Sequence, residues 1–301
     1  MTVSANTDSQ SWKHIAWNGL EFDVPAGWEP VKIGRNYLMF DDETGPKMEV
    51  KWNRVKGSFS HKASLRKLGA AHTRALRKKL AFSQLPSAWQ QALGGYEASG
   101  FSWQSTTVKG KGVILYCPGC KNATLIQFLQ AESALPEALG ERILASFADH
   151  PANGTVRWSL FDIRVDLPRD MQLKRHRFYT GAFELEFTLN KNTFGLHRWA
   201  PANALLQNIG LHGFTEQWAA RYCVEKFALQ TDGEFALTAV VPQTTPNILR
   251  RFLHFRRKAQ LQFIRVWHVE DRNRILAVRV DGFRMPDVDL LEHICTNYEI
   301  V

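Results

Sequence analysis

The sequence predicts an α+β protein made of two tandem copies of one module, in which helices cover an antiparallel sheet as α/β/α layers. Its length of 301 residues is about twice the common domain size of ~100 to 150 residues. The order strand, hairpin, helix, several strands and terminal helix occurs twice, and its strands alternate apolar and polar residues, as antiparallel sheets with one wet face do. We therefore expect a polar tail over residues 1–11, a first module over 12–152 and a second, diverged module over 153–301.

Each copy opens with a short, half-buried strand. Residues 17–28 read W-N-G-L-E-F-D-V-P-A-G-W, and residues 158–171 read W-S-L-F-D-I-R-V-D-L-P-R-D-M. Apolar residues occupy every second position until Pro25 or Pro168, which has no N–H to donate to a sheet and so ends the strand.

The remaining elements follow in the same order in both copies. The return strand of each hairpin is predicted at residues 48–52 and 183–187, and a helix with an apolar stripe at 65–80 and 214–222. Later elements are strands at 96–103 and 234–240, a last hairpin pairing 113–116 with 124–129 and 261–267 with 274–280, and closing helices that begin near Pro136 and Pro286.

This order of elements, together with the F-x-V-P-x-G-W entry at residues 22–28, resembles the Mog/PsbP-like fold, in which helices cover an antiparallel sheet. The second copy departs from the entry motif, with Asp170 and Met171 near the positions of the glycine and tryptophan. Proteins of that fold are mostly binding proteins, including a regulator of a nuclear GTPase, a photosystem subunit and bacterial chaperones for secreted effectors. The resemblance implies a binding role and transfers no functional residue.

The sharpest chemical motif is Cys117-Pro118-Gly119-Cys120, at the tip of the last hairpin of the first copy. Such a turn can present two thiolates to one Zn²⁺, but a structural zinc site needs about four ligands and the chain has no second C-x-x-C. Aligning the hairpin turns places His268 and Asp271 opposite the two cysteines, so the module does not need the thiols to fold. We favour a turn whose thiols are incidental, and we therefore expect no cofactor. Two alternatives stay open: a metal clip that binds zinc through Cys117 and Cys120, and a redox pair formed by the same cysteines.

A basic segment lies in the second copy where the first has only a short turn, so residues 241–258 are predicted to be an insertion. As a helix it would carry apolar and basic faces, able to contact an acidic groove, an anionic surface or phosphates, or else simply to face solvent. The predicted partner-binding residues here are Arg250, Arg251, Phe252, Phe255, Arg256, Arg257 and Lys258.

Two further segments are candidates. A second insertion is predicted near residues 192–213, where Phe194, Arg198 and Trp199 would form either a contact surface or internal packing. A third basic cluster, residues 74–79 with Arg74, Arg77, Lys78 and Lys79, is placed on the polar side of the first long helix, where solvent exposure is the ordinary role.

Motifs for catalysis are missing: the sequence has no G-x-S-x-G, no phosphate-binding G-x-x-x-x-G-K-[ST], no H-E-x-x-H and no G-x-G-x-x-G after a strand. We expect no membrane span, no signal peptide over residues 1–10 and, with four cysteines, a reducing cytoplasmic location. The sequence thus predicts a non-enzymatic binding or adaptor protein, a protein-protein interaction or chaperone-like module, with an unidentified protein partner. The alternatives are a nucleic-acid or anionic-surface binder acting through the basic helices, favoured by a net charge of +9, and a zinc or redox protein.

Overall fold

The structure is a computed structural model that describes residues 11–76, 79–104, 108–130, 136–150, 154–222, 228–233, 235–240, 260–282 and 285–301. The chain divides into two compact units, 1–153 with 157–161 and 154–156 with 162–301. The predicted module boundary at residues 152 and 153 falls next to this division. The predicted insertion at 241–258 lies outside the described residues.

The strands of the first unit are β1 (Trp12–Trp17), β2 (Leu20–Pro25), β3 (Glu29–Gly34), β4 (Tyr37–Asp42), β5 (Gly45–Arg54), β6 (Lys79–Phe82), β7 (Glu97–Gln104), β8 (Lys109–Cys117) and β9 (Asn122–Gln130). Strands β3 to β9 form a seven-stranded antiparallel sheet with the order β3-β4-β5-β9-β8-β7-β6. β1 and β2 form a separate hairpin, and β10 (Thr155–Leu160) pairs with β1 so that Ser159 faces Ala16.

Helices cover both faces of this sheet. They are α1 (His61–Leu76), α2 (Ser87–Ala92) and α3 (Glu137–Ala145). Leu125 of β9 packs against the cluster around Leu65 of α1, whereas the ring of Phe128 lies 5.3 Å from that of Trp89 in α2. Because positions 125 and 128 point to opposite faces of a strand, α1 and α2 lie on opposite sides of the sheet.

The strands of the second unit are β11 (Ile163–Pro168), β12 (Gln172–Tyr179), β13 (Ala182–Leu189), β14 (Asn192–Trp199), β15 (Gln230–Thr231), β16 (Ala236–Val240), β17 (Gln260–Val269), β18 (Arg274–Gly282) and β19 (Glu299–Ile300). Strands β12 to β18 repeat the arrangement of the first unit as a seven-stranded sheet of order β12-β13-β14-β18-β17-β16-β15. The helices are α4 (Ala202–Leu206), α5 (Gly210–Ala219), α6 (Val288–Asn297) and a 3₁₀ turn at Glu270–Arg272. The predicted α+β class, antiparallel sheets with helices, is confirmed.

Two sequence predictions about individual elements are wrong. Residues 183–187 do not correspond to the strand at 48–52, because β14 pairs with β18 as β5 pairs with β9. Residues 192–199 are therefore the third strand of a meander that both units have, and not an insertion. The first long helix stops at Leu76, since residues 79–82 leave it to pair with residues 101–104 at the edge of the sheet.

Within the described ranges, no helix combines the length and apolar character required to cross a bilayer.

Candidate metal centre

The hairpin between β8 and β9 holds two cysteines on one tight turn. Cys117 ends β8 opposite Asn122, and the N–H of Lys121 donates to the Cys117 carbonyl at 2.9 Å. Lys121 adopts the left-handed region, with φ of 59°. The turn brings the backbone N–H of Cys120 to 3.5 Å from the Cys117 Sγ, and neither thiol is in a disulfide. The C-P-G-C sequence thus forms a tight turn that brings its two cysteines close together, as C-x-x-C metal sites require.

The segment that follows α3 is fixed beside this hairpin tip. Ala148 and Glu21 of β2 exchange two backbone hydrogen bonds, each 2.8 Å long. The hydroxyl of Ser146 accepts a further bond of 2.8 Å from the N–H of Asp23. These bonds hold residues 149 and 150 against the turn.

Two more potential ligands meet the cysteines there. Sγ of Cys117 lies 3.2 Å from Nε2 of His150, and Sγ of Cys120 lies 3.3 Å from Oδ2 of Asp149. One donor atom from each of these four residues lies within 4.8 Å of the others. Zn–S bonds of ~2.3 Å and Zn–N or Zn–O bonds of ~2.0 to 2.1 Å at tetrahedral angles require ligand atoms about 3.3–3.8 Å apart. The distances of 3.2 and 3.3 Å lie at the lower end of this range, and the remaining ones are at most 4.8 Å.

The other atoms of Asp149 and His150 orient these ligands. Oδ1 of Asp149 lies 2.6 Å from Nδ1 of His150 and accepts a hydrogen bond of 3.2 Å from the Tyr96 hydroxyl. With its proton on Nδ1, the imidazole presents the lone pair of Nε2 toward the thiols, the tautomer set by the hydrogen bond. Burial and the nearby Asp149 carboxylate raise the pKa of Tyr96, so the phenol keeps the proton that it donates.

Burial of these groups is uneven. The Asp149 side chain is 2% exposed and the His150 side chain 49%, so the site lies at the surface with its carboxylate inside. Burial, followed by the Asp149 carboxylate, raises the pKa of Cys120 to about 12. A redox pair needs a lowered pKa at one of its two thiols, and the redox alternative stays a prediction.

Two of these four residues, Cys117 and Cys120, are predicted from the sequence, whereas Asp149 and His150 are not. The signal that could have identified them is the Asp-His dipeptide just after the closing helix. That helix returns the chain to the last hairpin, so the residues that follow it lie beside the two cysteines. At the constant offset that aligns Phe147 with Tyr298, the second unit has Ile300 and Val301 there. The cluster therefore belongs to the first unit alone.

The residues predicted to bind a partner are placed differently. Phe194 is 1% exposed and Arg198 is 6% exposed. Arg198 pairs with Asp162, and its guanidinium carbon lies 4.5 Å from the ring centre of Phe183. Both side chains are engaged inside the second unit, so of the two alternatives left open for them the structure matches internal packing. Trp199 is half-buried beside a cavity.

The basic clusters do not form one described surface. The described residues do not include the predicted partner-binding residues of the basic segment, which are Arg250, Arg251, Phe252, Phe255, Arg256, Arg257 and Lys258. They also do not include Arg77 and Lys78. Arg74 belongs to α1 and Lys79 begins β6, so the third cluster is not a single helix face.

Comparison with known proteins gives partial likenesses of fold. The Ran-binding protein Mog1p of Saccharomyces cerevisiae matches with 8% identity and a TM-score of 0.33, over 47% of this chain and 96% of that one. A Mog1 mutant matches at 9% identity, 46% and 96% coverage and a TM-score of 0.33. A Bacteroides thetaiotaomicron structure matches at 10% identity over 52% of this chain and 53% of that one, with a TM-score of 0.32.

No family model and no curated protein matches the chain. The likeness to Mog1p concerns the fold alone. This is the Mog/PsbP-like fold that the order of elements in the sequence resembles. Ran binding is a property of that protein and is not transferred here.

Proposed function

We propose that this chain is a zinc-binding protein whose first unit holds one ion between Cys117, Cys120, Asp149 and His150. The observation that carries the proposal is the convergence of two thiols, one imidazole and one carboxylate, supplied by segments about 30 residues apart in sequence. Hairpin packing alone gives no reason for four such groups to meet.

The donor set selects the metal. Thiolate and imidazole ligands favour Zn²⁺ among the common biological cations, whereas Ca²⁺ takes six to eight oxygen ligands and Mg²⁺ prefers octahedral oxygen coordination. The described residues here supply one carboxylate to the cluster. Four protein ligands leave no open position, as in zinc sites that stabilise a fold.

Charge supports the same conclusion. Two thiolates and a carboxylate place three negative charges within 4.8 Å, and a divalent cation would compensate two of them. In the ion-free cluster the Cys120 thiol stays protonated, because burial and the Asp149 carboxylate raise its pKa. Zinc would therefore displace thiol protons and fasten the segment after α3 to the β8–β9 hairpin.

The test is the metal content of the purified full-length chain, measured by plasma mass spectrometry after exhaustive dialysis. We expect about one zinc per chain, and loss of most of it in the double variant Cys117→Ser/Cys120→Ser. Cys295→Ala is the matched control, because it removes a buried thiol of the second unit that lies outside the cluster.

Cobalt substitution gives a second readout. Co²⁺ bound by two thiolates in a tetrahedral site absorbs strongly through sulfur-to-metal charge transfer, and this absorption should vanish in the double variant and persist in the control. Zinc-free wild-type protein that also fails to take up Co²⁺ would contradict the proposal.

The binding or adaptor role predicted from sequence, with an unidentified protein partner, is compatible with a structural zinc and stays a prediction. The nucleic-acid alternative also stays a prediction, since residues 250–258 lie outside the described ranges.

A further inference from the structure

A cavity of about 300 Å³ lies in the second unit, between one face of strands β12 to β14 and the end of α5. Register explains which strand residues reach it. Arg177 faces Glu184 across β12 and β13, and Glu184 faces His197 across β13 and β14. Trp199 follows two positions later on the same face of β14.

Aromatic rings form the walls. The rings of His197 and Trp199 are stacked, with centroids 5.4 Å apart and an interplanar angle of 6°. Trp218 of α5 meets His197 edge-on at 5.1 Å, and Tyr222 lies 5.7 Å from Trp218. The cavity is thus bordered by aromatic rings along which a flat molecule can pack.

The charge of the lining is positive. Three arginines line the cavity, Arg175, Arg177 and Arg221, with Glu184 as the acidic residue among them. Arg175 and Arg177 each contact Glu184, at 3.5 and 3.2 Å. Exposed Arg221 has no acidic partner within the described ranges, so one guanidinium at the rim is available to an anion.

His197 adds a polar atom and no charge. Burial and the nearby Arg279 and Arg175 hold the pKa of His197 well below its usual range, so the ring is neutral. Its Nε2 is buried and, among the described residues, has no hydrogen-bond partner. A buried polar atom without a partner is uncommon in folded proteins and often marks a functional position.

We propose that this cavity binds a small anion that carries a planar aromatic ring. The ring would lie against Trp199 and Trp218, and a phosphate or carboxylate would pair with the guanidinium of Arg221, which suits both groups. Aromatic cages also bind organic cations, but the unpaired guanidinium of Arg221 opposes a cationic ligand. A volume of about 300 Å³ is at the small end of ligand pockets and suits one or two fused rings with one acidic group.

Calorimetric titration of the full-length protein with matched probes tests this proposal. The probes are AMP with adenosine and inorganic phosphate, and indole-3-acetate with indole. We expect at least one acidic ring compound to bind at least tenfold more tightly than its uncharged counterpart, and phosphate alone to bind more weakly than AMP.

Arg221→Ala should remove most of that preference, since it takes away the unpaired charge and leaves the packed rings in place. Arg272→Ala, an exposed arginine of the 3₁₀ turn outside the cavity, should bind like wild type. Amide and indole NMR spectra report the location: the Trp199 and Trp218 indole N–H signals should shift on binding, and that of Trp267 should not.

Three outcomes would overturn the proposal: no binding of either acidic probe at millimolar concentration, equal binding of charged and uncharged probes, or unchanged affinity in Arg221→Ala. Binding of a single-stranded oligonucleotide without binding of AMP would likewise reject it, in favour of a nucleic-acid surface elsewhere. None of these results depends on whether the first unit holds zinc.

Discussion

Asp149 has two oxygens with separate partners. One contacts Tyr96 and His150, and the other faces the thiol of Cys120. A carboxylate that is 2% exposed needs such partners, because burying an unpaired charge is costly. The same residue therefore orients the histidine and offers a ligand atom, which makes the site compact.

His197 gives a prediction about pH. In the unfolded chain a histidine takes up a proton below pH ~6.5, but folded His197 resists protonation because it is buried and lies near Arg279 and Arg175. The unfolded state then binds more protons than the folded state, so the free energy of unfolding should fall as pH drops from about 7 to 5. The slope for one group is up to ~1.4 kcal/mol per pH unit.

Urea unfolding at several pH values measures this slope. His197→Phe keeps a stacked ring and should flatten the pH dependence of the second unit, while the exposed His212→Gln should leave it unchanged. Equal slopes in the wild type and His197→Phe would show that His197 is not the group responsible.

At the scale of elements, the contact between α2 and α3 depends on a glycine. A Cβ at Gly140 would lie 2.4 Å from the indole of Trp89, a fully buried side chain whose Nε1 donates to the Glu137 carbonyl at 3.1 Å. Gly140→Ala should lower the free energy of unfolding by about 1–3 kcal/mol, the usual cost of overpacking a core.

The comparison for this experiment is Gly95→Ala. A Cβ there would meet no atom within 4 Å, and the backbone of Gly95 is outside the left-handed region. Guanidinium denaturation of both variants should separate them; similar stabilities would mean that α3 shifts away from Trp89 at little cost.

The sequence predicted most strands because alternation of apolar and polar residues is a local property. It did not distinguish the second from the third strand of the meander, since β13 and β14 alternate alike and only pairing tells them apart. The apolar stripe predicts a helix through residue 80, but residues 79–82 form the edge strand β6. Their pairing with β7 overrides the local helical pattern.

The candidate metal site likewise contains residues that a local pattern predicts and residues that only tertiary contacts bring together. C-x-x-C spacing is local and identified Cys117 and Cys120. Asp149 and His150 reach them through contacts such as the bridge between Ala148 and Glu21, which are far apart in sequence. No local pattern encodes that contact.

At the scale of the whole molecule, the two units share a strand order but carry different chemistry. The first has the four potential metal ligands and the second has the aromatic cavity. The ion proposed for the first unit should stabilise that unit selectively, by RT ln(1 + [Zn]/Kd), which is about 2.7 kcal/mol at a hundredfold excess over Kd.

Hydrogen exchange with and without a zinc chelator tests this selectivity. We expect chelation to speed exchange around residues 117–122 and 147–150 and to leave β12 to β14 unchanged. An even loss of protection in both units would contradict a local role for the ion.

The bridge between Ala148 and Glu21 also has a consequence for synthesis. A ribosome releases both cysteines some 30 residues before the aspartate and histidine, so the growing chain offers only half of the coordination sphere until its first unit is nearly finished. The proposed ion would therefore find its full ligand set only in a chain that extends through residue 150, and a product truncated before residue 149 would keep two of the four proposed ligands.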